Sequence, residues 1–445
     1  MTLRVLLAIG LNALPLILFA ETLAFVNVNV VPMTEEFVWR GRTVIVVDDR
    51  IALIGPVDDT VLPDDAVVVD GTDRYLIPGL AEMHGRISDT SEPELDRLFA
   101  LYLANGITTV RGMAGRPAHL ELRDRLAAGE RLGPRLVTAG PTMDGESING
   151  VDEAVRTVIA QKIAGYDFLA VGSGLTRAEF LALAAEAGNQ GIPFSGEVPP
   201  EVGLASALDA GIASIEHLDA YLGALAPESS SRSDEGVLAM ARTASAGESA
   251  IAELVAATVA AGAWNVPAQA LFEHTVNAES PERIADWPEM RYVSPATSEE
   301  WIGFKTELLA DPGFDRPVAD RAIELRRQLV AALQEAGAGL LLGSDSPQRF
   351  NVPGFALHRE LELLVAAGLS PFQALQTGTV NPARFFADAD ERGTIAVGQQ
   401  ADLVLLDDNP LADISNTARV HGTLVRGRWL ARAELDQWLE SAERR

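Results

Sequence analysis

The sequence predicts an α/β protein in which a (β/α)8 TIM barrel carries a small composite β-sandwich built from the N- and C-terminal segments. The middle of the chain alternates short apolar runs with amphipathic segments, a pattern typical of repeated strand–helix units. Both ends instead contain short β-branched runs separated by turn residues. A length of 445 residues, 48% of them hydrophobic, is enough for one large domain with an appendage.

Residues 1–20 precede the predicted folded part. Arg4 is followed by an apolar stretch over 5–20 that only Asn12 and Pro15 interrupt. This is typical of a secretory signal peptide, and it is short for a spanning helix, which needs roughly 20 apolar residues. We therefore expect export to the periplasm or the extracellular space. The alternatives are an uncleaved anchor, which would be the only membrane contact, or a cytoplasmic protein with a misassigned start.

After this leader, residues 21–78 and 386–432 are expected to form the sandwich together. Each segment contains several short β-rich runs, and two β-rich ends around a different middle suggest that they pair. The runs are 23–31, 42–47, 51–54, 66–69 and 75–77, then 393–398, 401–406, 420–426 and the surroundings of Trp429. Residues 433–445 are predicted to form a C-terminal tail helix.

Residues 79–385 are expected to form the barrel. Helices are predicted between its strands, for example over 92–104 and 151–164. Ser370 and Pro371 are typical of a helix start, with serine as the cap and proline in the first turn. The eight candidate strands are 79–84, 107–111, 135–139, 167–171, 192–197, 212–216, 263–268 and 339–345.

A long segment over 272–325 follows the seventh predicted strand. It contains Trp287, Tyr292 and Trp301. Two interpretations are open: the segment covers the barrel mouth as a lid, or it packs as an ordinary surface insertion.

The composition excludes several kinds of partner and site. A formal net charge of −28 would repel nucleic acid and anionic membrane surfaces. The absence of cysteine excludes disulfides, thiolate metal sites and a cysteine nucleophile. A small-molecule substrate or ligand is the partner we expect, and the sequence does not specify an oligomeric state.

Several side chains that suit metal binding close the predicted strands, where the functional sites of such barrels lie. His84 and Arg86 end the first strand and, at a spacing of two, share one face. Glu197, His217 and Asp345 end or follow the fifth, sixth and eighth strands. Imidazoles and carboxylates are ligands for a divalent metal. A guanidinium cannot ligate a cation, so Arg86 would serve the electrostatics of the site instead.

The chain resembles the amidohydrolase superfamily, closest to its imidazolonepropionase- and prolidase-like members, over essentially everything after the leader. The segments that carry the resemblance are Ile77-Pro78-Gly79, Gly106-Ile-Thr-Thr-Val-Arg111, Ser214-Ile-Glu-His217, Leu342-Gly-Ser-Asp345, Asn381-Pro-Ala-Arg384, Gly393-Thr-Ile395 and Ala401-Asp-Leu403.

The resemblance implies a site with two divalent metals. The family pattern has two histidines on strand one, a carboxylated lysine on strand four, one histidine each on strands five and six, and an aspartate on strand eight that also acts as the base. Three positions of this chain match, namely His84, His217 and Asp345. Three do not, namely Arg86, Ala170 and Glu197. Because the two lysines of the chain lie elsewhere, we do not expect a binuclear site bridged by a carboxylated lysine.

Two functions follow as alternatives. The first is a hydrolase of C–N bonds in an amide, cyclic amide or dipeptide-like substrate, with at most one zinc-like ion. Its ligands would be His84, Glu197, His217 and Asp345. In this hypothesis Asp345 is also the general base, and Tyr221 is a further candidate for contact with substrate.

The second alternative is a catalytically silent relative. It would bind a small ligand or a partner in the pocket that corresponds to the active site of the family. Here an ion pair of Arg86 with Glu197 and Asp345 would replace the metal centre. An arginine would supply the positive charge that buried carboxylates need when no metal is bound.

Overall fold

A computed structural model describes residues 22–225 and 248–444. The predicted leader lies outside these ranges. Within them, none of the helices combines the length and the apolar character that a membrane crossing requires.

The N-terminal part forms five strands where β-branched and aromatic residues cluster. Strand β1 pairs with β2 in antiparallel register and with β4 and β5 in parallel register. Leu23, Phe25 and Val28 of β1 are buried in the core of this region. The strands are β1 (Thr22–Val30), β2 (Trp39–Val47), β3 (Arg50–Pro56), β4 (Val67–Asp70) and β5 (Tyr75–Pro78).

Eight parallel strands follow, in the order that the sequence predicts. They are β6 (Leu80–Gly85), β7 (Ile107–Gly112), β8 (Arg135–Thr138), β9 (Leu169–Val171), β10 (Phe194–Gly196), β11 (Ser214–Glu216), β12 (Trp264–Val266) and β13 (Gly339–Leu340). Strands β6–β8 form one parallel sheet and β9–β13 another. Backbone hydrogen bonds link the two sheets on both sides, from Met83 N to Leu342 O at 2.8 Å and from Asp167 N to Thr138 O at 3.1 Å. The fold is mixed α/β and TIM-barrel-like.

Helices connect these strands. Two of the predicted helices have the predicted bounds, and Ser370 caps α13 by accepting from the Gln373 amide at 3.2 Å. The helices are α1 (Glu92–Ala104), α2 (Ala118–Ala127), α3 (Val151–Ala164), α4 (Arg177–Gln190), α5 (Leu204–Asp209), α6 (Asp219–Leu225), α7 (Glu248–Ala261), α8 (Gln269–Val276), α9 (Pro281–Ala285), α10 (Pro295–Ala310), α11 (Arg316–Glu335), α12 (Phe355–Ala366), α13 (Pro371–Gly378), α14 (Val380–Phe385) and α15 (Arg432–Ala442).

The long insertion packs through its aromatic residues. Tyr292 stacks on Phe355 with ring centroids 5.4 Å apart, and Trp301 meets Phe350 edge to face at 5.9 Å. These aromatic residues form one buried cluster with Val352. The insertion therefore lies against the segment that follows the eighth strand.

The C-terminal strands return to the N-terminal ones. They are β14 (Leu403–Leu406), β15 (Val420–Val425) and β16 (Arg428–Ala431). Strand β14 pairs with β5, which joins both ends of the chain in one eight-stranded sheet. The predicted strand over 393–398 is wrong: Gly393 and Gly398 have φ angles of 92° and 93°, and this conformation breaks an extended run.

Candidate active site at the strand ends

Three of the predicted ligands converge in the structure. His84 lies near the end of β6, His217 directly follows β11, and Asp345 lies five residues beyond β13. One donor atom from each lies within 4.8 Å of the other two. The Asp345 carboxylate is 3.2 Å from His84 Nε2 and 3.4 Å from His217 Nε2. All three residues are buried, so the parallel strand ends form a protected group of nitrogen and oxygen donors.

The local backbone turns these side chains inward. His217 and Asp345 have φ angles of 69° and 54°, in the left-handed region that few residues other than glycine adopt. Such strained conformations cluster at functional sites. Gly343 allows the close approach, because a Cβ there would lie 2.6 Å from Val266 Cγ1 and 2.9 Å from His84 N.

A buried carboxylate orients His84. Its Nδ1 lies 2.8 Å from Glu216 Oε2, and its Nε2 faces Asp345. Burial lowers the pKa of His84, but the charges of Asp345 and Glu216 outweigh burial and raise it. Both carboxylates accept hydrogen bonds from the ring, so when Nε2 loses its proton, Nδ1 keeps its own proton and donates it to Glu216 Oε2. A metal ion could then bind at Nε2, and second-shell carboxylates of this kind fix metal-binding histidines in general.

Glu216 is itself held by Arg111. Arg111 Nη2 donates to Glu216 Oε1 at 2.7 Å, and both side chains are 0% exposed. Ser214 Oγ donates to the same oxygen at 2.7 Å. Arg111 also donates to Met83 O at 2.6 Å. Burial raises the pKa of Glu216, but Arg111 and His84 outweigh it and lower the pKa to about 2. Glu216 is therefore ionised at neutral pH.

Glu82 joins the first and eighth strands behind the site. Its Oε1 accepts from His84 N at 2.8 Å and from Ser344 N at 2.9 Å, and its Oε2 accepts from the Ser344 hydroxyl. Burial raises the pKa of Glu82. The carboxyl group fixes the backbone next to both His84 and Asp345.

Arg86 forms a bidentate ion pair with Asp345. Its Nε donates to Oδ1, and its Nη2 donates to Oδ2 at 3.1 Å. The Arg86 side chain is 35% exposed, whereas that of Asp345 is 1% exposed. Gln348 Nε2 donates to Asp345 as well. This contact between Arg86 and Asp345 is the one expected from the charges of the sequence.

The expected second partner, Glu197, does not join the group. Within residues 22–225 and 248–444, no ion pair of 4.0 Å or less connects Glu197 with Arg86, and Glu197 is absent from the converging donors. Asp345 presents both carboxylate oxygens to one edge of the guanidinium, so Arg86 is satisfied without Glu197. Burial lowers the pKa of Arg86, but the charge and hydrogen bonds of Asp345 raise it. The negative charge of Glu197 raises the pKa of Arg86 further, without a direct contact.

The side chain of Tyr221 faces the hydrophobic core. It is fully buried in the hydrophobic core, in helix α6. Its hydroxyl donates to Asn265 Oδ1 at 2.7 Å and lies 2.8 Å from Thr258 Oγ1. Its polar atom is already paired inside the core, so the structure gives no support to the expected contact with substrate.

No lysine reaches the strand-four position. Ala170 lies in β9 and packs in a small apolar cluster with Val137 and Phe168. Lys305 is buried in α10, where its ammonium donates to His274 O at 2.7 Å and to Asn277 Oδ1 at 2.6 Å. The ammonium of Lys305 is therefore committed to groups other than the His84, His217 and Asp345 donors.

The structure thus combines two features: a TIM-barrel-like core, and a candidate metal-binding group of two histidines and one aspartate at its strand ends. The chain belongs to the Amidohydrolase family, whose model matches residues 75–430.

Solved structures share the fold over most of the chain. Bottromycin amidohydrolase is 24% identical with a TM-score of 0.71, over 95% of this chain and 90% of that one. A Xaa-Pro dipeptidase with bound methionine in its active site is 17% identical with a TM-score of 0.67, over 92% and 100%. At these identities the likeness shows the fold alone.

One curated relative matches a shorter stretch. Adenine deaminase 2 of Jannaschia sp. (strain CCS1) is 37% identical over 86 residues, which is 19% of this chain and 14% of that protein. The match therefore spans only a small part of that relative's length.

Proposed function

We propose that the protein hydrolyses a C–N bond in a small amide, cyclic amide or dipeptide-like substrate, with one divalent metal ion held by His84, His217 and Asp345. The observation that carries this proposal is the convergence of their donor atoms within 4.8 Å at the strand ends. Membership of the Amidohydrolase family supports it. So do the names of the similar proteins, an amidohydrolase, a dipeptidase and a deaminase, which all denote cleavage of a C–N bond.

The donor set fits one ion rather than two. Two imidazoles and one carboxylate give three protein ligands and leave a position open, as in catalytic zinc sites. The contact of Glu216 with His84 Nδ1 leaves Nε2 available to the ion. A second ion would need a bridging group on strand four, where Ala170 has none.

Arg86 competes with the ion for Asp345. At about 4 Å, the charges of a divalent ion and a guanidinium repel by about 8 kcal/mol at an effective dielectric constant near 20. The Arg86 side chain is partly exposed, so it can turn towards solvent and release the carboxylate. We propose that metal binding includes this movement.

The residues of the chain supply the remaining chemistry. When bound, the metal would polarise the substrate carbonyl and make a water molecule more acidic. Burial raises the pKa of Asp345, but His84, His217 and Arg86 outweigh it and lower the pKa. Asp345 is therefore ionised at neutral pH and can accept a proton from the attacking water. Burial of the three donors limits access of bulk water.

We also infer that the two parallel sheets close into one barrel over 79–385, and that the terminal segments pack beside it as a sandwich. The hydrogen bonds of Met83 N and Asp167 N, which join the two sheets, support closure. Slow hydrogen exchange at both amides is the expected result, and fast exchange at either would indicate an open sheet.

Activity of the metal-loaded protein tests the proposed function. The purified chain is incubated with Zn²⁺, Mn²⁺ or Co²⁺ and assayed against dipeptides, N-acyl amino acids and cyclic amides. We expect turnover that His217→Ala and Asp345→Asn abolish. The matched control His421→Ala changes a histidine in β15 that pairs with Asp407, and it should retain turnover. Absence of turnover with every metal would favour the silent relative, in which the Arg86–Asp345 pair replaces the metal centre.

A further inference from the structure

A second arginine stands beside the site on a turn that the site residues hold. Gln348 and Asn351 pair across this turn, and Arg349 lies between them. Gln348 Nε2 donates to the Asp345 carboxylate, and Asn351 Nδ2 donates to Ser344 O at 2.6 Å. Arg349 has a φ of 46°, in the left-handed region. The turn is thus fixed on both sides to the strand end that carries Asp345.

The Arg349 side chain has a fixed plane and free donors. Its guanidinium carbon lies 4.6 Å from the centre of the Phe304 ring, in helix α10 of the insertion. Among the residues that the structure describes, Arg349 forms no side-chain hydrogen bond and no ion pair within 4.0 Å. A guanidinium has five N–H donors, and an aromatic ring against its face leaves the edge open to an acceptor.

Three carboxylates of the described residues act on Arg349 through their charge, and none of them forms an ion pair with it. Burial and the positive charge of Arg86 lower the pKa of Arg349. The negative charges of Asp345, Asp219 and Glu197 act in the opposite direction. Asp345 is bound by Arg86, and Asp219 accepts from Arg326 Nη1 at 2.9 Å. Arg349 is therefore a positive group next to the site for which the described residues provide no paired carboxylate.

We propose that Arg349 binds a carboxylate of the substrate, so that the protein acts on N-acyl amino acids or dipeptides with a free C-terminal carboxylate. This rests on the proposed function. A guanidinium edge matches a carboxylate in two-pronged geometry, which an ammonium does not provide. A chain with a net charge of −28 would repel an anionic substrate, and a positive group beside the mouth offsets that repulsion locally.

Kinetics with matched substrates test the assignment. Each dipeptide that the wild type hydrolyses is compared with its C-terminal amide. We expect kcat/KM to be at least about tenfold higher for the free carboxylate, a difference that corresponds to about 1.4 kcal/mol. Arg349→Met should bring the ratio near one through a higher KM for the free acid, and Arg349→Lys should restore part of it. Arg283→Met, at an arginine in α9 that is 79% exposed, should keep the wild-type ratio.

A binding measurement separates this inference from the proposed function. Calorimetry on metal-free protein compares N-acetyl derivatives of the twenty amino acids with their amides. If no substrate is turned over but the free acids bind more tightly and Arg349→Met removes that preference, hydrolysis fails and the role of Arg349 stands. If no free acid is preferred over its amide in binding or in turnover, the role of Arg349 is overturned, whether or not the protein is a hydrolase.

Discussion

The two sides of His84 differ in how their charges are balanced. On the inner side, Arg111 and Glu216 form a closed pair with both side chains 0% exposed. On the outer side, Arg86 contacts Asp345 with 35% of its side chain exposed. We call the first pair the inner pair and the second the outer pair. The inner pair has no exposed surface through which to exchange partners, so it acts as scaffold, whereas the outer pair can open. The metal site that we propose would use both: a histidine held in one orientation and a carboxylate that Arg86 can release.

The largest expected difference concerns stability. Arg111→Met leaves the buried Glu216 carboxylate without its cation, which should lower the free energy of unfolding by about 3–5 kcal/mol. Arg86→Met should cost less, because Asp345 keeps its contacts with His84, His217 and Gln348. Urea denaturation of both variants measures this. Equal losses would contradict the distinction, and if Arg111→Met does not fold, Arg111→Lys, which keeps the charge, should recover soluble protein.

The inner pair also predicts an effect of acid. The pKa of Glu216 is about 2 in the folded protein, against an ordinary value of 4.5. A lowered pKa stabilises the folded state above pH 4.5, and this contribution, on the order of 3 kcal/mol, is lost as the pH falls towards 2. Unfolding free energy measured from pH 2 to 6 should therefore fall less steeply towards acid for Glu216→Gln than for the wild type. Parallel curves would show that folding leaves the pKa of Glu216 unchanged, which would contradict the stabilising role of the inner pair.

Metal affinity should separate Glu216 from Glu197. Glu216→Gln removes the charged acceptor behind His84 Nδ1, and loss of such an outer contact typically lowers metal affinity by about 10–100-fold. Glu197→Gln should change the affinity by less than about threefold, since Glu197 lies outside the converging donors. Competition with a chromophoric chelator measures both. A larger effect at Glu197 would restore it as a ligand.

Loss of the outer pair should change metal affinity in the opposite direction, towards tighter binding. Arg86→Met removes a positive charge that competes for Asp345, so zinc should bind about tenfold more tightly than in the wild type. The same chelator competition gives this value, with Arg283→Met as a control for loss of a surface charge. Weaker binding by Arg86→Met would mean that Arg86 supports the metal site instead of competing with it.

The site residues that follow strands within short motifs could be predicted from the sequence. His84, His217 and Asp345 each end or follow an apolar run, and parallel strands bring such ends to one face. The contact of Arg86 with Asp345 followed from charge balance, because a buried aspartate without a metal needs a cation. The bounds of α1 and α3 followed from helical periodicity alone.

Other features depend on three-dimensional proximity that a pattern does not contain. Arg111 and Glu216 are 105 residues apart, on β7 and β11 of the two separate parallel sheets, and only the tertiary fold brings them together. A charged residue inside each of two buried strands was the available signal for this pair. For Glu197 and Tyr221, the direction of each side chain depends on the packing around it, which the sequence pattern does not contain.

Measuring the zinc content of the protein is the sharpest test of the proposed one-metal site. The purified chain is loaded with zinc, freed of excess metal by gel filtration and analysed for its elements. We expect about one zinc ion per wild-type chain and per His421→Ala chain, and close to none in His217→Ala and Asp345→Asn. A wild-type protein that retains no zinc, or one that holds two ions, would contradict a single metal held by His84, His217 and Asp345.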